Sequence, residues 1–574
     1  MKDTCINRIL FALLFVLLVP SLVSATTYYV DMGGTNNGSC GTTSGTGACA
    51  TLSYLVGNRH LGSKGDDIQI AVGSYTDNTQ VVLPVGVHVH GAGSATTTIK
   101  TNVTTAGGYI KAQSPVPVVD GSNEISGFNL IASSTNKTGI TSSGRNNQKI
   151  HDMIFTNWTS EAGDDAGAIW IGGKYGRDDL ASGFWVQTCS GGEGTCSYCG
   201  SNTASNISPL STDWATGVDI YNNTFTNSEL KMNVLKGAKI HDNTINNDTG
   251  TNLSGIGHTG FWFSGIKIYN NTINMNSISN TVIAVELWAI GEGSKIYNNI
   301  ISGWTSFGHH GLGKGSNVYA LEIYGNTFYV AKAMSSTANP TIEIVNTFSD
   351  VAIYNNYFAS SATDRGCTWA LAIWGPNIKR NILIYGNIFG LQYYDGSNKR
   401  VITLEDQNST TYTSEVYVYN NVFDVGSSKR AGGIMSSSGG VITNTYWRNN
   451  IFNNMDGNLV LNAGSSWTGH TAENNYSFNC VNNYVSSGDA KWTLADNVTT
   501  NSIAPGFVGT GNKPSPYYLL QTNSPCIAAG VALGTPYNID PAGNERVRSD
   551  MTAWDIGAYT YISILTPPKD LKVK

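Results

Sequence analysis

The sequence predicts an all-β protein built as a right-handed parallel β-helix, a solenoid closed by N- and C-terminal caps. Three observations carry that expectation. A six-residue unit of the type Ile-Tyr-Asn-Asn-Thr-Ile recurs along the chain, and its fourth residue is Asn in all nine strong copies. Gly and Tyr are abundant, at 65 and 29 of 574 residues. Long amphipathic Leu/Glu/Lys periods are missing, so turns and strands are expected and helix should be scarce.

The copies begin at Ile220, Ile240, Ile268, Ile296, Ile323, Ile353, Ile384, Val418 and Trp447, at intervals of 20 to 34 residues. That period suits one solenoid coil per copy. A weaker copy, Ile150 to Phe155, has Met153 where the others place Asn. Branched and aromatic residues alternating over such a unit fit a pleated surface. The fourth-position residues Asn223, Asn243, Asn271, Asn299, Asn326, Asn356, Asn387, Asn421 and Asn450 are expected to stack as an amide ladder. Asn also suits the turn between two strands, because it tolerates left-handed backbone angles. The ladder is read as structural, and the Asn-x-Thr triplets that accompany it as its by-product.

The N-terminus carries Lys2 and Arg8, an apolar run from Ile9 to Val19, and then Val23-Ser24-Ala25. This is the layout of a secretory signal cleaved after Ala25, so a secreted or cell-surface location is expected. No later stretch approaches the roughly 18 apolar residues of a membrane helix. Charged residues make up only 13% of the chain and the formal net charge is -6. A nucleic-acid partner usually demands a basic patch or stripe, so none is expected.

Both ends have their own character. Tyr28-Tyr29-Val30-Asp31, Gly65-Asp66-Asp67-Ile68, Gly73-Ser74-Tyr75 and Val87-His88-Val89-His90-Gly91 form the front. The back runs from Ser524-Pro525-Cys526-Ile527 through Asp540, Gly543 and Arg546 to Asp555-Ile556-Gly557-Ala558-Tyr559. With the repeats between them, these segments resemble the right-handed parallel β-helix proteins of the pectate-lyase-like superfamily over most of the chain. The resemblance implies the fold and leaves function open, since lyases, hydrolases, epimerases and adhesins share it. The expected organisation is a signal peptide at 1–25, an N-terminal cap and first coils at 26–120, and β-helix repeats at 121–480. A Cys-containing insertion near 172–215, a C-terminal capping segment at 481–564 and a tail or linker at 565–574 complete it.

Eight cysteines follow the signal region, an even number that suits disulfides in an exported chain. Cys40 and Cys49 are the simplest local pair. Cys189, Cys196 and Cys199 fall in the insertion, where a disulfide-pinned loop is favoured over a metal site because no second Cys-x-x-Cys and no local His complete four ligands. No cofactor is expected. Calcium is the one candidate ion, at Asp66 with Asp67 or at Asp540 with Glu545 and Asp550.

A second set of strands lies between the Asn units, and these should stack as well. Ala168–Ile171, Phe261–Phe263, Val285–Ala289, Ile342–Ile344, Leu371–Trp374 and Ile402–Glu405 share alternation. With branched residues inward, the outward column reads Trp170, Trp262, Glu286, Trp288, Glu343, Trp374 and Glu405, with His309 and His310 on the coil between Glu286 and Glu343. Strand spacing of about 4.8 Å would put Glu286 and Glu343 roughly 9–10 Å apart, close to the carboxyl separation of inverting glycosidases. Trp faces offer platforms for sugar rings.

A lyase would need a base and a cation beside a uronate. His309 or His310 could serve as base, and Lys314, Arg365, Lys379 or Arg380 as cation. Two functions are therefore expected. One is a secreted carbohydrate-active enzyme, a polysaccharide hydrolase or lyase, with Glu286, Glu343, Glu405, His309 and His310 as catalytic candidates. Trp170, Trp262, Trp288, Trp374 and Arg365 would bind its substrate. The alternative is a non-catalytic surface, adhesive or glycan-binding β-helix, to which Thr566-Pro567-Pro568-Lys569 would add a linker.

Overall fold

The structure is a computed structural model and describes most of residues 25–562. The longest stretches outside it are 159–166, 174–213, 276–282, 308–317, 330–339, 360–368, 391–399, 405–411, 425–433 and 510–516, with both chain ends and shorter pieces between strands. The described chain is a right-handed parallel β-helix made of three parallel sheets. Sheet A carries 21 described strands, sheet B 15 and sheet C 12, and each coil passes from A to B to C before the next begins. None of the described helices is long and apolar enough to cross a membrane.

The six-residue unit is the corner between sheets A and B. Its first residue points inward: Ile220, Ile240, Ile268, Ile296, Ile323, Ile353 and Ile384 are all fully buried and pair rung to rung. Its second residue faces out. The third residue, and not the fourth, takes the left-handed conformation, with φ of 54–56° at Asn222, Asp242, Asn270, Asn298 and Asn355. Asn, Asp and, at Gly325 and Gly386, Gly tolerate that geometry best.

The fourth-position Asn is thereby freed to stack. From Asn223 to Asn475 each donates both its backbone and its side-chain N–H to Oδ1 of the next, at 2.9–3.1 Å. The ladder runs two rungs beyond the repeats read from sequence, through Asn475 to Asn497. At the weak copy the backbone N–H of Met153 still donates to Asn223, so Ile150–Phe155 occupies a regular rung without a side-chain amide. Inside sheet B the sixth residues Phe328, Phe358, Phe389, Phe423 and Phe452 stack at 4.7–5.2 Å.

At the front, the Cys40–Cys49 disulfide and the helix Leu52–Asn58 pack Leu52 and Leu55 onto the core that contains Val30 and Ile68. The hydroxyl of Thr51 caps that helix by accepting the Tyr54 amide. At the back, the segment around Tyr518, Leu520, Ile556 and Tyr559 lies on the outer face of sheet B, against Ile388, Val422, Ile451 and Tyr476. Tyr537 and Trp554 of the same segment lie on the outer face of sheet A against Tyr385 and Tyr419. Cys480 and Cys526 are buried, whereas Cys189, Cys196, Cys199 and Cys367 lie outside the described residues.

The acidic residues considered for calcium hold turns. Asp66 accepts the Thr26 amide, and Asp540 accepts the amides of Ala542 and Asn544; Asp550 lies outside the described residues. Among the described residues no group of three or more His, Cys, Asp or Glu is placed to hold a metal ion.

Candidate functional site: the outer face of sheet C

Sheet C supplies the strands Gly167–Gly172, Leu230–Asn233, Ser254–Gly260, Ile283–Leu287, Trp304–Phe307, Ile342–Val345, Trp369–Trp374 and Arg400–Leu404, in that order. Their inward residues are apolar: Ile169, Leu230, Ile256 and Val285 form one fully buried column, and Ile171, Met232, Leu287, Phe307 and Ile344 belong to another. Strand alternation then sends the residue between the two columns to the outer face.

That outer column carries chemistry. Trp170 pairs with Lys231 on the next rung. Glu286 pairs with Ser306, which pairs with Glu343, which pairs with Ala372 and then Thr403. Glu286 and Glu343 are therefore two rungs apart, roughly 10 Å along the sheet, with one serine between them. The Ser306 hydroxyl donates to Glu343 Oε2 at 2.8 Å. Both carboxylates are nearly out of solvent, at 7% and 2% exposure.

Between Lys231 and Glu286 lies the strand with Gly257, which follows Ile256 and has φ +85°. An added Cβ there would meet the Glu286 carbonyl oxygen at 2.5 Å and Leu287 Cδ2 at 2.7 Å, and the pairing shifts register just beyond it. Glycine is needed where the backbone approaches this closely. Lys231 Nζ sits 3.4 Å from Glu229 Oε2, with both side chains 1–2% exposed, and neither atom makes a hydrogen bond. The other oxygen of Glu229 accepts the Ser254 amide at 2.7 Å.

The residues singled out from sequence fare differently. Glu286, Glu343 and Trp170 come together on one face, but Trp170 is only 4% exposed, its ring edge lying 3.2 Å from the point where a Gly172 Cβ would stand. Trp374 closes its strand and pairs with Val345. Trp262, Trp288, Glu405, His309, His310, Arg365 and Lys314 lie outside the described residues. Lys379 and Arg380 belong to a strand of sheet A, away from the carboxylates. The rung sought at Phe261–Phe263 is instead Ser254–Gly260, and Phe263 pairs within sheet A.

Lys231, Glu229 and Trp304 were not legible from the repeat. Trp304 shares the outer face with Ser306 two residues on, is half-buried, and keeps a buried indole N–H that makes no hydrogen bond. The signal that could have found them is the same in each case, a bulky or charged residue at an outward position of a strand in register with Glu286.

No family model matches this sequence, and no curated protein matches it. Solved structures do. XylC in complex with xylose is similar at 9% identity and a TM-score of 0.36, over 94% of this chain and 98% of that one. PfbA, a surface adhesin of Streptococcus pneumoniae, is similar at 12% identity and a TM-score of 0.36, over 74% and 86%. The catalytic unit of an α-1,3-glucanase from Streptomyces thermodiastaticus is similar at 11% identity and a TM-score of 0.27, this chain spanning 66% of its length.

Proposed function

We propose that this chain is an exported carbohydrate-active β-helix that holds a polysaccharide along the outer face of sheet C and acts on it with Glu286 and Glu343. One observation carries the reading: the two glutamates share a column, two rungs apart, with Ser306 hydrogen-bonded to one of them. Burying ionisable groups disfavours folding unless they are compensated, and an outer column needs none of them for stacking. The neighbouring rungs make the point, since Ala372 and Thr403 fill the same column without charge. Four ionisable side chains, Glu229, Lys231, Glu286 and Glu343, are kept out of water on this one face, over five successive rungs.

The two-rung spacing suits an acid and a base flanking a glycosidic bond with a water between them. Trp304 supplies an aromatic surface beside the pair, and Lys231 a cation that would suit a uronate, so hydrolysis and elimination are both compatible with the constellation.

The test is a panel of neutral and acidic polysaccharides assayed for new reducing ends and for unsaturated products, with Glu343→Gln and Glu286→Gln beside the wild type. Cleavage that falls at least 100-fold in either variant supports the enzyme reading. Cleavage that survives both substitutions removes these residues from the chemistry. Retention of a glycan without cleavage favours the binding role.

A further inference from the structure

On a different sheet from these carboxylates, the outer face of sheet A bears two parallel columns. In one, the second residues of the repeat stack ring on ring: His151, Tyr221, His241, Tyr269, Tyr297, Tyr324, Tyr354 and Tyr385, with centroids 4.6–5.2 Å apart and planes within 8°. Because each ring face is taken by its neighbours, the column offers solvent only ring edges and polar tips. It cannot serve as a stacking platform for sugars. From Tyr385 onward it is covered, Tyr537 standing edge-on against Tyr385 and Tyr419. From Tyr221 to Tyr354 it is half-buried and open.

The second column lies two residues back along each strand. Lys239, Lys267 and Lys295 occupy successive rungs, followed by Glu322. Lys236 stands on the strand that leads into Lys239. Lys295 is taken by Glu322 at 2.8 Å, and the other oxygen of Glu322 accepts the Tyr354 hydroxyl at 2.9 Å. The carboxylates at the other end are also engaged, Asp219 and Asp242 holding the two nitrogens of His241 at 3.0 and 2.6 Å. Lys236, Lys239 and Lys267 are exposed and have no ion-pair partner among the described residues.

Like charges on adjacent strands, about 4.8 Å apart, repel. Lys236, Lys239 and Lys267 are exposed, so the packing of the sheet does not require them. We infer that Lys239 and Lys267 on successive rungs, with Lys236 on the strand that leads into Lys239 and the open tyrosine edges beside them, form a docking track for an acidic polysaccharide, a chain with a carboxylate or sulfate on each sugar. The rung spacing is of the order of one extended sugar residue, so successive anionic groups can meet successive lysines. The tyrosine hydroxyls would donate to ring and hydroxyl oxygens. Burial raises the phenols of Tyr269, Tyr297 and Tyr324, which therefore stay protonated and neutral beside an anion.

The track is on a different sheet from Glu286 and Glu343, so it stands or falls without them. The experiment is affinity chromatography and titration of the full chain on polygalacturonate, dextran sulfate, neutral dextran and duplex DNA, each at low and at 0.5 M salt. Wild type is expected to bind the two acidic polysaccharides, to lose most of that binding at high salt, and to ignore neutral dextran. Lys239→Gln/Lys267→Gln should weaken binding at least 10-fold with an unchanged melting temperature. The inference is overturned by a double lysine variant that binds like wild type, by equal retention on neutral dextran, by tighter binding to DNA, or by no binding at all.

Discussion

Asn271 donates both its backbone N–H and its side-chain N–H to a single atom, Oδ1 of Asn299, at 2.9 and 3.0 Å. Asn299 in turn does the same to Asn326, while its amide also reaches the carbonyls of Ile268 and Tyr297. Each amide in the ladder thus closes several buried polar groups that water cannot reach.

Removing an interior member should leave those groups unsatisfied. Asn299→Ala is expected to destabilise the chain by about 2–4 kcal/mol, and Asn497→Ala, at the partly exposed end of the ladder, by about half as much. Denaturant titration of both variants checks this. Equal losses at the two positions would mean that the ladder is not the unit of stability it is taken for.

Tyr537 is wedged edge-on between Tyr385 and Tyr419, at 5.0 and 4.9 Å between centroids. Tyr537→Ala should weaken the hold of the C-terminal segment on sheet A by about 3 kcal/mol. Limited proteolysis would then cut within 530–560 faster than in the wild type, with the repeats left intact.

His470 is buried beside the Thr445 hydroxyl, and burial pushes its pKa down from 6.5 to about 4. Its folded form is therefore neutral where the unfolded chain takes up a proton. Stability should be unaffected by this group above pH 6.5 and fall as the pH drops from 6.5 towards 4, by on the order of 3 kcal/mol in total. In His470→Gln that part of the pH dependence should disappear. Superimposable slopes for the two proteins between pH 4 and 6.5 would refute it.

The Cys40–Cys49 disulfide closes a short loop beside the first coil. Its reduction, or Cys40→Ser/Cys49→Ser, should cost about 2–3 kcal/mol through the freed unfolded chain. Calorimetry with and without reductant measures the shift.

The fold was legible because sheets A and B meet at a corner that every coil repeats with the same chemistry: an inward Ile, an outward aromatic, a left-handed Asn or Asp, and the ladder Asn. Sheet C follows no such template. Its outward residues change from Trp170 to Lys231, Gly257, Glu286, Ser306 and Glu343, so only those on strongly alternating strands could be placed from sequence. The strand Ser254–Gly260 escaped because its glycines erase the hydrophobic alternation and Gly257 breaks its register. Lys231 escaped because a lysine on a short strand reads as a solvated face until burial at 2% exposure is seen. The tyrosine and lysine columns of sheet A were in plain view within the repeat, but their meaning depends on stacking geometry that periodicity alone does not give.

The most direct measurement is a crystal structure of Glu343→Gln soaked with an oligosaccharide from whichever polysaccharide the wild type cleaves or retains. Sugar rings resting along the outer face of sheet C, with a glycosidic oxygen between positions 286 and 343, are the predicted result. Sugar bound elsewhere, with that face unchanged and closed, would contradict the account.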